Sequence, residues 1–167
     1  IQDTVITKGG SSVLSKTGHA FIKQTMRAHN AVYGGELSAH HYFRDFSFCD
    51  SGMIPWLLVL EMISKSCNSL ATLVRSRSNK FTSSGEINFD IKNADKTIEK
   101  IKNHYRKDSI NEDELDGLSL EFEDWRLNLR KSNTESLVRL NIECNNGTAM
   151  VDKKVIELSA IINSCNL

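Results

Sequence analysis

The sequence has no excess of charge of either sign and no long hydrophobic run. Its 21 lysines and arginines balance 21 aspartates and glutamates, so no overall basic field attracts nucleic acid or an anionic membrane. The longest apolar run, residues 53–60, ends at Glu61 and is much shorter than the roughly 20 residues of a membrane-spanning helix. These absences predict a cytoplasmic globular protein with neither nucleic acid nor a membrane as a partner.

Sequence patterns for several kinds of chemistry are also missing. The cysteines have no C-x-x-C spacing, which favours free thiols in a reducing compartment over a disulfide framework. They are Cys49, Cys67, Cys144 and Cys165. No G-x-S-x-G loop, Walker-type loop or D-x-D-x-D metal loop occurs, so the chain has no evident nucleophile and no evident metal site. The chain begins at Ile1 without an initiator Met or a signal pattern, which indicates a processed or truncated piece.

The hydrophobic pattern of the first half predicts a mixture of strands and helices. Short strands are predicted at residues 5–7 and 13–14. Apolar side chains at helical spacing predict helices at residues 20–29 and 53–64. Residues 76–85 are rich in Ser and basic side chains and indicate a connector to a second part of the chain.

The second half predicts a small α+β layer. A short strand at residues 86–89 precedes a helix at residues 94–106, which has apolar side chains on one face. Residues 118–142 contain three segments that alternate apolar and polar side chains, as half-buried antiparallel strands do. A helix over residues 151–163 closes the chain, and the pattern as a whole predicts helices packed on one sheet.

The strongest candidate for an anion site is the loop of residues 130–135, called here the 130–135 loop. Arg130 offers a planar fork that can meet two phosphate oxygens at once. Ser132 and Thr134 add hydroxyl donors, and Asn133 tolerates a left-handed turn in which backbone N–H groups can bind an anion. The alternative interpretation is a plain polar hairpin tip, since Ser and Asn are common turn residues.

A second candidate is the stretch of residues 34–41, called here the 34–41 segment. Two glycines precede Glu36, Ser38 and His40, which occupy alternate positions. In an extended segment these side chains share one face and could converge on a polyhydroxylated ligand such as a hexose. His40 could also move a proton near neutral pH. The alternative is a polar loop after a helix.

Two weaker possibilities lie nearby. A metal site made of His40, His41 and Asp45 is disfavoured, because adjacent histidines in a strand point to opposite faces. Residues 16–19, which end in His19, open a predicted helix, where exposed N–H groups favour an anion. An ordinary helix start explains residues 16–19 equally well.

Taken together, these segments resemble the α-D-phosphohexomutases, and among them the bacterial phosphomannomutases. The resemblance runs through nearly the whole chain and is strongest in a few motifs. They are Lys16-Thr17-Gly18-His19, Gly34-Gly35-Glu36-Leu37-Ser38-Ala39-His40-His41, Cys49-Asp50-Ser51-Gly52 and Arg130-Lys131-Ser132-Asn133-Thr134-Glu135. Several motifs in the same order are far more specific than any one of them alone.

The resemblance implies an enzyme of four domains, of which this chain would contain the later part of the third and the fourth. Residues 1–73 would be the later part of an α/β third domain that recognises the sugar. Residues 74–167 would be the fourth, a small α+β, TBP-like domain with a mostly antiparallel sheet and two helices. The family's phosphoserine loop and its Asp-rich magnesium loop are absent from this sequence.

The resemblance also implies roles for residues. His19, Glu36 and Ser38 would contact the substrate, and His40 would be a candidate acid or base near the reacting centre. The substrate's non-reacting phosphate would be bound by four residues of the 130–135 loop. They are Arg130, Ser132, Asn133 and Thr134.

The function implied is the interconversion of mannose 6-phosphate and mannose 1-phosphate for GDP-mannose and surface polysaccharide synthesis. Intact members use Mg²⁺ and a bisphosphorylated hexose activator, and this chain would depend on the missing N-terminal domains of the same enzyme. Because the serine and metal loops are absent, the chain alone is expected to be inactive. The alternatives are a non-catalytic phosphosugar-binding or relic fragment, or one half of a split enzyme. Exposed apolar surface where the rest of the third domain would pack favours the split enzyme.

Overall fold

The computed structural model describes residues 1–132, 135–145 and 147–165, with the backbone alone at residue 77. It consists of two compact units, Ile1–Cys67 and Asn68–Leu167. Each unit has its own sheet and its own cluster of buried apolar side chains. The domain boundary predicted at residues 73–74 falls inside a helix of the second unit, and it stays a prediction.

The helices of the first unit follow its hydrophobic pattern in two of three cases. They are α1 (Gln2–Thr7), α2 (His19–Ala28) and α3 (Met53–Ser66). Helices α2 and α3 confirm the predicted helices. In α2, Ile22 and Met26 are buried, because residues four apart lie on the same face of a helix.

The strands predicted near the N-terminus are wrong. Residues 5–7 belong to α1, in which the Val5 N–H donates to the Ile1 carbonyl at 3.0 Å. Residues 13–14 have no regular structure. A strand needs a neighbouring strand to pair its backbone groups, whereas a helix pairs them within one segment. Residues 5–7 belong to neither of the described sheets, and the helix pairs their backbone groups within one segment.

A small antiparallel sheet of order β1-β2-β3 completes the first unit. Its strands are β1 (Tyr33–Gly35), β2 (His41–Phe43) and β3 (Cys49–Asp50), and a 3-10 helix, Arg44–Phe46, lies between the last two. Tyr42 is fully buried and packs with Ile22 and Met26 of α2. The register places Tyr42 opposite Asp50, which brings the 34–41 segment close to the start of α3.

Helix α3 exposes an unusual amount of apolar surface. None of its residues is buried. Its exposed large apolar side chains are Met53, Trp56, Leu57, Leu58, Leu60 and Met62. No single helix of the described residues is long and apolar enough to cross a membrane, although α3 passes that test of length and composition jointly with residues 70–76 as a bent pair. A contiguous apolar surface of this kind marks a place where other protein packs.

The second unit is an antiparallel sheet covered by helices. Its helices are α4 (Leu70–Ser78), α5 (Ala94–Tyr105) and α6 (Thr148–Asn163), and its strands are β4 (Thr82–Ser83), β5 (Ile87–Asp90), β6 (Asn111–Asp113), β7 (Leu118–Glu121), β8 (Trp125–Lys131) and β9 (Leu137–Cys144). The strand order is β4-β9-β8-β7-β6, and β5 also pairs with β9. The predicted small α+β layer is thus confirmed, while the short edge strands β4 and β6 were not predicted.

The core of the second unit is built from strict alternation along its longest strands. In β9 every second side chain is buried, including Leu140 and Ile142, and in β8 Leu127 and Leu129 are buried opposite them. Helices α5 and α6 cover this face with Ile101, Tyr105, Val151, Leu158 and Ile162. The other face of the sheet carries the polar residues of the same strands, among them the arginines described below.

A glycine fixes the turn before β7 and gives a test of this packing. Gly117 has φ 75°, and a Cβ atom there would lie 2.6 Å from both the Arg130 Cβ and the Leu129 carbonyl oxygen. Gly117→Ala therefore combines left-handed backbone strain with a backbone clash. We expect it to lower the free energy of unfolding of the second unit by about 2 kcal/mol or more.

Urea unfolding followed by the fluorescence of the core residue Trp125, in a Trp56→Phe background, measures this loss. Gly85→Ala is the matched control, because Gly85 has φ 67° but nothing within 4 Å of its added Cβ. The control should lower the free energy of unfolding only by the cost of placing an alanine in the left-handed region, about 1 kcal/mol. Equal losses in the two variants would show that the close approach at Gly117 does not matter.

Candidate functional site

Within the 34–41 segment, residues 36–40 form a tight turn between β1 and β2, and not the extended segment on which the shared-face interpretation depended. Strand β1 ends at Gly35, the Glu36 N–H donates to the His40 carbonyl at 3.0 Å, and the Ala39 N–H donates to the Glu36 carbonyl at 3.1 Å. Ala39 has φ 65°, which closes the turn. Glu36 and His40 are therefore brought together as the two ends of the turn, and Ser38 lies exposed at its tip.

The buried phenol of Tyr42 holds the Glu36 carboxylate in place. The Tyr42 hydroxyl donates a hydrogen bond to Glu36 Oε1. Burial of Tyr42, then its bond to Glu36 and the charge of that carboxylate, raise the pKa of the phenol well above its usual range. Tyr42 thus stays protonated and remains a donor, which leaves Glu36 half-buried with its second oxygen as an acceptor.

A carboxylate holds the ring of His40. The Nδ1 atom of His40 lies 2.7 Å from Asp50 Oδ2, and the backbone N–H of His41 donates to Asp50 Oδ1 at 3.0 Å. The bond with His40 is the largest cause that lowers the pKa of Asp50, so this carboxylate is ionised near neutral pH. Asp50 fixes the imidazole through Nδ1 and leaves Nε2 for another partner.

Asp50 was not among the predicted site residues. In the sequence it stands out only as part of a helix start signal before α3. Its contact with His40 depends on the β2–β3 pairing, and no local pattern in the sequence reveals that register.

His19 joins the same group from the first residue of α2. Its ring centroid lies 4.6 Å from that of His40 and 5.2 Å from that of Tyr42, both edge to face. Three of the predicted residues, His19, Glu36 and His40, are thus gathered around Tyr42. The cluster combines a fixed imidazole, a second imidazole and a carboxylate oxygen, which suits the binding of hydroxyl groups and the transfer of a proton.

The same cluster is the one place in the described residues where three potential metal ligands meet. Ligand atoms of His19, His40 and Asp50 lie within 4.8 Å of one another. Two imidazoles and one carboxylate suit a transition metal, whereas Mg²⁺ prefers oxygen ligands. His41, which belongs to the metal site disfavoured in the sequence analysis, is not part of this cluster. Its Nδ1 atom lies 2.7 Å from the Tyr33 hydroxyl oxygen. The prediction that the chain has no metal site of its own stays a prediction.

The prediction that residues 130–135 all lie in a loop is wrong for the first two, because Arg130 and Lys131 end strand β8 and pair with β9. Asn133 and Thr134, two of the four predicted phosphate-binding residues, lie outside the described residues. The Ser132 N–H donates to the Leu137 carbonyl at 2.9 Å, and the Glu135 N–H donates to Ser132 Oγ at 3.3 Å. The ends of the loop are therefore held by the strands that flank it.

Arg130 lies beside a second arginine and a carboxylate that were not predicted. Arg130 and Arg139 are directly opposite in the β8–β9 register, so both project from the same face of the sheet. Arg130 Nη2 lies 3.1 Å from Glu86 Oε2, and Arg139 Nη1 lies 3.2 Å from Glu86 Oε1. Glu86 lies 44 residues before Arg130 in the sequence, and only the folded sheet brings it to the two arginines.

Comparison with known proteins gives consistent matches over both units. Residues 1–81 match the family model described as "Phosphoglucomutase/phosphomannomutase, alpha/beta/alpha domain III", and residues 86–154 match the one described as "Phosphoglucomutase/phosphomannomutase, C-terminal domain". These matches confirm both the predicted fold class and the family that the sequence resembles.

Individual relatives are identical to this chain at about half of the aligned positions. A phosphomannomutase of Vibrio cholerae serotype O1 is 52% identical over 166 residues, which are 99% of this chain and 36% of that protein. A Xanthomonas campestris pv. campestris protein described as "Phosphohexose mutases" is 52% identical over 154 residues, or 92% of this chain and 34% of that protein. The chain thus spans about a third of the length of the curated relatives it matches.

A solved structure agrees in fold. The crystal structure of a phosphoglucomutase/phosphomannomutase family protein from Burkholderia thailandensis matches with a TM-score of 0.77. The match covers 98% of this chain and 35% of that chain, at 24% sequence identity. At this level of identity the likeness concerns the fold alone.

The contact between His40 and Asp50 can be tested by titration. His40→Ala removes the largest influence that lowers the pKa of Asp50, so that pKa should rise toward its ordinary value of 3.8. Carboxyl ¹³C chemical shifts followed against pH measure the change. His29→Ala, at the other end of α2, is the control and should leave the Asp50 titration where it is in the unsubstituted chain.

The same contact should affect stability at low pH. Because the folded-state pKa of Asp50 is lowered, its carboxylate stabilises the first unit at a pH above 3.8. This contribution is lost as the pH falls through the lower, folded value. Acid unfolding of His40→Ala should therefore begin at a higher pH than acid unfolding of His29→Ala, and identical acid transitions would contradict the contact.

Proposed function

Because the chain belongs to the phosphoglucomutase/phosphomannomutase family, we propose that it is the C-terminal portion of a phosphomannomutase. Such an enzyme interconverts mannose 6-phosphate and mannose 1-phosphate, a step toward GDP-mannose and surface polysaccharide. Residues 1–73 would supply sugar recognition and residues 74–167 phosphate binding. The observation that carries the proposal is the fixed His40 imidazole standing beside Glu36 and His19.

The first unit would bind the sugar and handle one proton. The free oxygen of Glu36 would accept a hydrogen bond from a sugar hydroxyl, and Ser38 at the turn tip and His19 would add further contacts. Nε2 of His40 would take the proton of the hydroxyl that attacks phosphorus and would return it to the oxygen that leaves. Asp50 would keep the ring in place during this exchange, which makes it a positioning residue.

The second unit would hold the phosphate that does not react. A guanidinium can donate two parallel hydrogen bonds to phosphate oxygens, and Arg130 is the candidate for this role. Ser132, together with Asn133 and Thr134, would add hydroxyl, amide and backbone donors. Gripping one end of the substrate fixes the position of the other end, and positioning supplies much of the catalysis in phosphoryl transfer.

The remaining chemistry would belong to protein outside these 167 residues. Intact family members need a phosphoserine and Mg²⁺, and the loops that carry them do not occur in this sequence. The described cluster of His19, His40 and Asp50 is rich in nitrogen and does not fit Mg²⁺. No step of the proposed mechanism is therefore assigned to a metal bound by this chain.

The exposed apolar surface of α3 is also consistent with a second candidate, one half of a split enzyme completed by another chain. Trp56 and Leu57 are each 55% exposed, and such side chains are normally covered. Packing against the rest of an α/β/α third domain would cover them, whether that domain is continuous with this chain or separate. A purely non-catalytic phosphosugar-binding fragment would need no such partner.

An activity assay tests the enzymatic assignment. The purified chain, given mannose 1-phosphate and a bisphosphorylated hexose activator, should show no conversion above background because its residues include no phosphoryl carrier. Adding the N-terminal two thirds of a related phosphomannomutase, inactive by itself, should restore turnover if α3 finds its missing packing partner. Turnover by the chain alone would contradict the proposal, and a failure to restore it would favour the non-catalytic binding fragment.

A binding measurement tests the phosphate site. Arg130→Ala should weaken the binding of mannose 6-phosphate by about tenfold or more, since hydrogen bonds to charged groups contribute about 1.5–3 kcal/mol. NMR titration of the chain measures the dissociation constant. Arg126→Ala is the matched control, because Arg126 lies on the same strand and pairs with Glu143, with 2.7 Å between its Nη2 and Glu143 Oε2. Equal effects of the two substitutions would remove Arg130 from the site.

A further inference from the structure

We propose that Glu86, Arg130 and Arg139, called here the Glu86 cluster, act together as one anion-binding unit. In this unit, Glu86 holds two guanidinium groups side by side in the orientation that grips a phosphate dianion. The inference rests on the proposed function, since it deepens the phosphate site assigned to Arg130. It adds a second cationic contact, Arg139, and a positioning residue, Glu86.

The geometry of the cluster is that of one carboxylate shared by two arginines. Each oxygen of Glu86 accepts from a different guanidinium, at 3.1 Å from Arg130 and 3.2 Å from Arg139. All three side chains are partly withdrawn from solvent, with exposures of 29% for Glu86, 16% for Arg130 and 27% for Arg139. Partial burial strengthens these contacts relative to ion pairs at the open surface.

The two neighbouring arginines of the cluster need the Glu86 carboxylate to offset their repulsion. Arg130 and Arg139 are directly opposite on neighbouring strands, and like charges at such positions repel each other. Glu86, which precedes β5 at the edge of β9, offsets this repulsion and still leaves one net positive charge among the three residues. A phosphate dianion would meet two aligned guanidinium groups there.

Each guanidinium retains donors for a ligand. Glu86 occupies Nη2 of Arg130 and Nη1 of Arg139. Nη2 of Arg139 lies 3.7 Å from an oxygen of the exposed Glu135, and its Nε is buried without a hydrogen-bond partner among the residues that the structure describes. Because Nε is buried, an anion would meet Arg139 through Nη2, in competition with Glu135, and would meet Arg130 through the nitrogens that Glu86 does not use.

A competing role for Glu86 makes the opposite prediction. If the carboxylate merely occupied the place of the phosphate, then Glu86→Gln would free the arginines and tighten anion binding. If Glu86 positions them, the substitution weakens binding even though it makes the site more positive. The geometry favours positioning, because Glu86 uses one nitrogen of each fork and leaves the accessible Nη2 of Arg139 and the other nitrogens of Arg130 for a ligand.

The test is the dissociation constant of mannose 6-phosphate for the whole chain, measured by NMR titration. Glu86→Gln should weaken binding three- to tenfold. Glu143→Gln is the matched control, since Glu143 is bonded to Arg126 across the same two strands, and it should leave binding unchanged. Unchanged or tighter binding by Glu86→Gln would overturn the inference.

A second variant keeps the test decisive if Glu86→Gln does not fold. Arg139→Lys keeps the charge but loses the planar fork, and it should weaken mannose 6-phosphate binding at least threefold, whereas Arg126→Lys should have no effect. Urea unfolding of each variant separates lost affinity from lost stability. Wild-type binding by Arg139→Lys would also overturn the inference.

A double substitution distinguishes failure of the inference from failure of the proposed function. In an Arg130→Ala background, Glu86→Gln should cause a smaller loss of affinity than in the unsubstituted chain, because only Arg139 is then left for Glu86 to position. If Arg130→Ala weakens binding and Glu86→Gln does not, the phosphate site stands and the role of Glu86 is wrong. If the unsubstituted chain does not bind mannose 6-phosphate, the proposed function itself fails.

Discussion

The pairing of β8 with β9 is the interaction on which the second unit depends. Its register sets Leu129 opposite Leu140 in the core and Arg130 opposite Arg139 on the other face. Because side chains alternate along a strand, a slip of one residue would expose the leucines and bury the arginines. The hydrophobic core therefore enforces the register, and the register in turn builds the arginine pair. The stability of the second unit and the proposed anion recognition thus depend on the same ladder of hydrogen bonds.

Local patterns in the sequence predicted individual helices and strands, but not the contacts between them. Alternation predicted the strands of the second unit, and helical spacing predicted α2. The strand predicted at residues 5–7 is wrong, because these residues belong to neither described sheet and pair their backbone groups within α1. The interpretation that places Glu36, Ser38 and His40 on one face of an extended segment does not hold, because the chain turns after Gly35. Asp50 was missed because its contact depends on a strand pairing that leaves no local trace.

The two units differ in how far they can be stable without a partner. The second has a continuous core under two helices, whereas the buried apolar cluster of the first consists of Ile22, Met26 and Tyr42. So small a core offsets little of the conformational entropy lost on folding. Meanwhile α3 leaves Trp56 and its neighbours in solvent. Helix α3 thus offers the apolar surface whose burial would stabilise the first unit, and in the proposed function protein from outside these residues would cover it.

Both candidate sites use a carboxylate behind the group that would touch the ligand. Asp50 fixes the imidazole of His40, and Glu86 fixes the guanidinium groups of Arg130 and Arg139. A side chain held in place before binding loses less rotamer freedom when the ligand arrives, so more of the interaction energy appears as affinity. The carboxylate also offsets part of the neighbouring positive charge. The fixed geometry would provide selectivity, while the reduced net charge would limit the strength of binding. This combination suits a substrate that must be bound and then released.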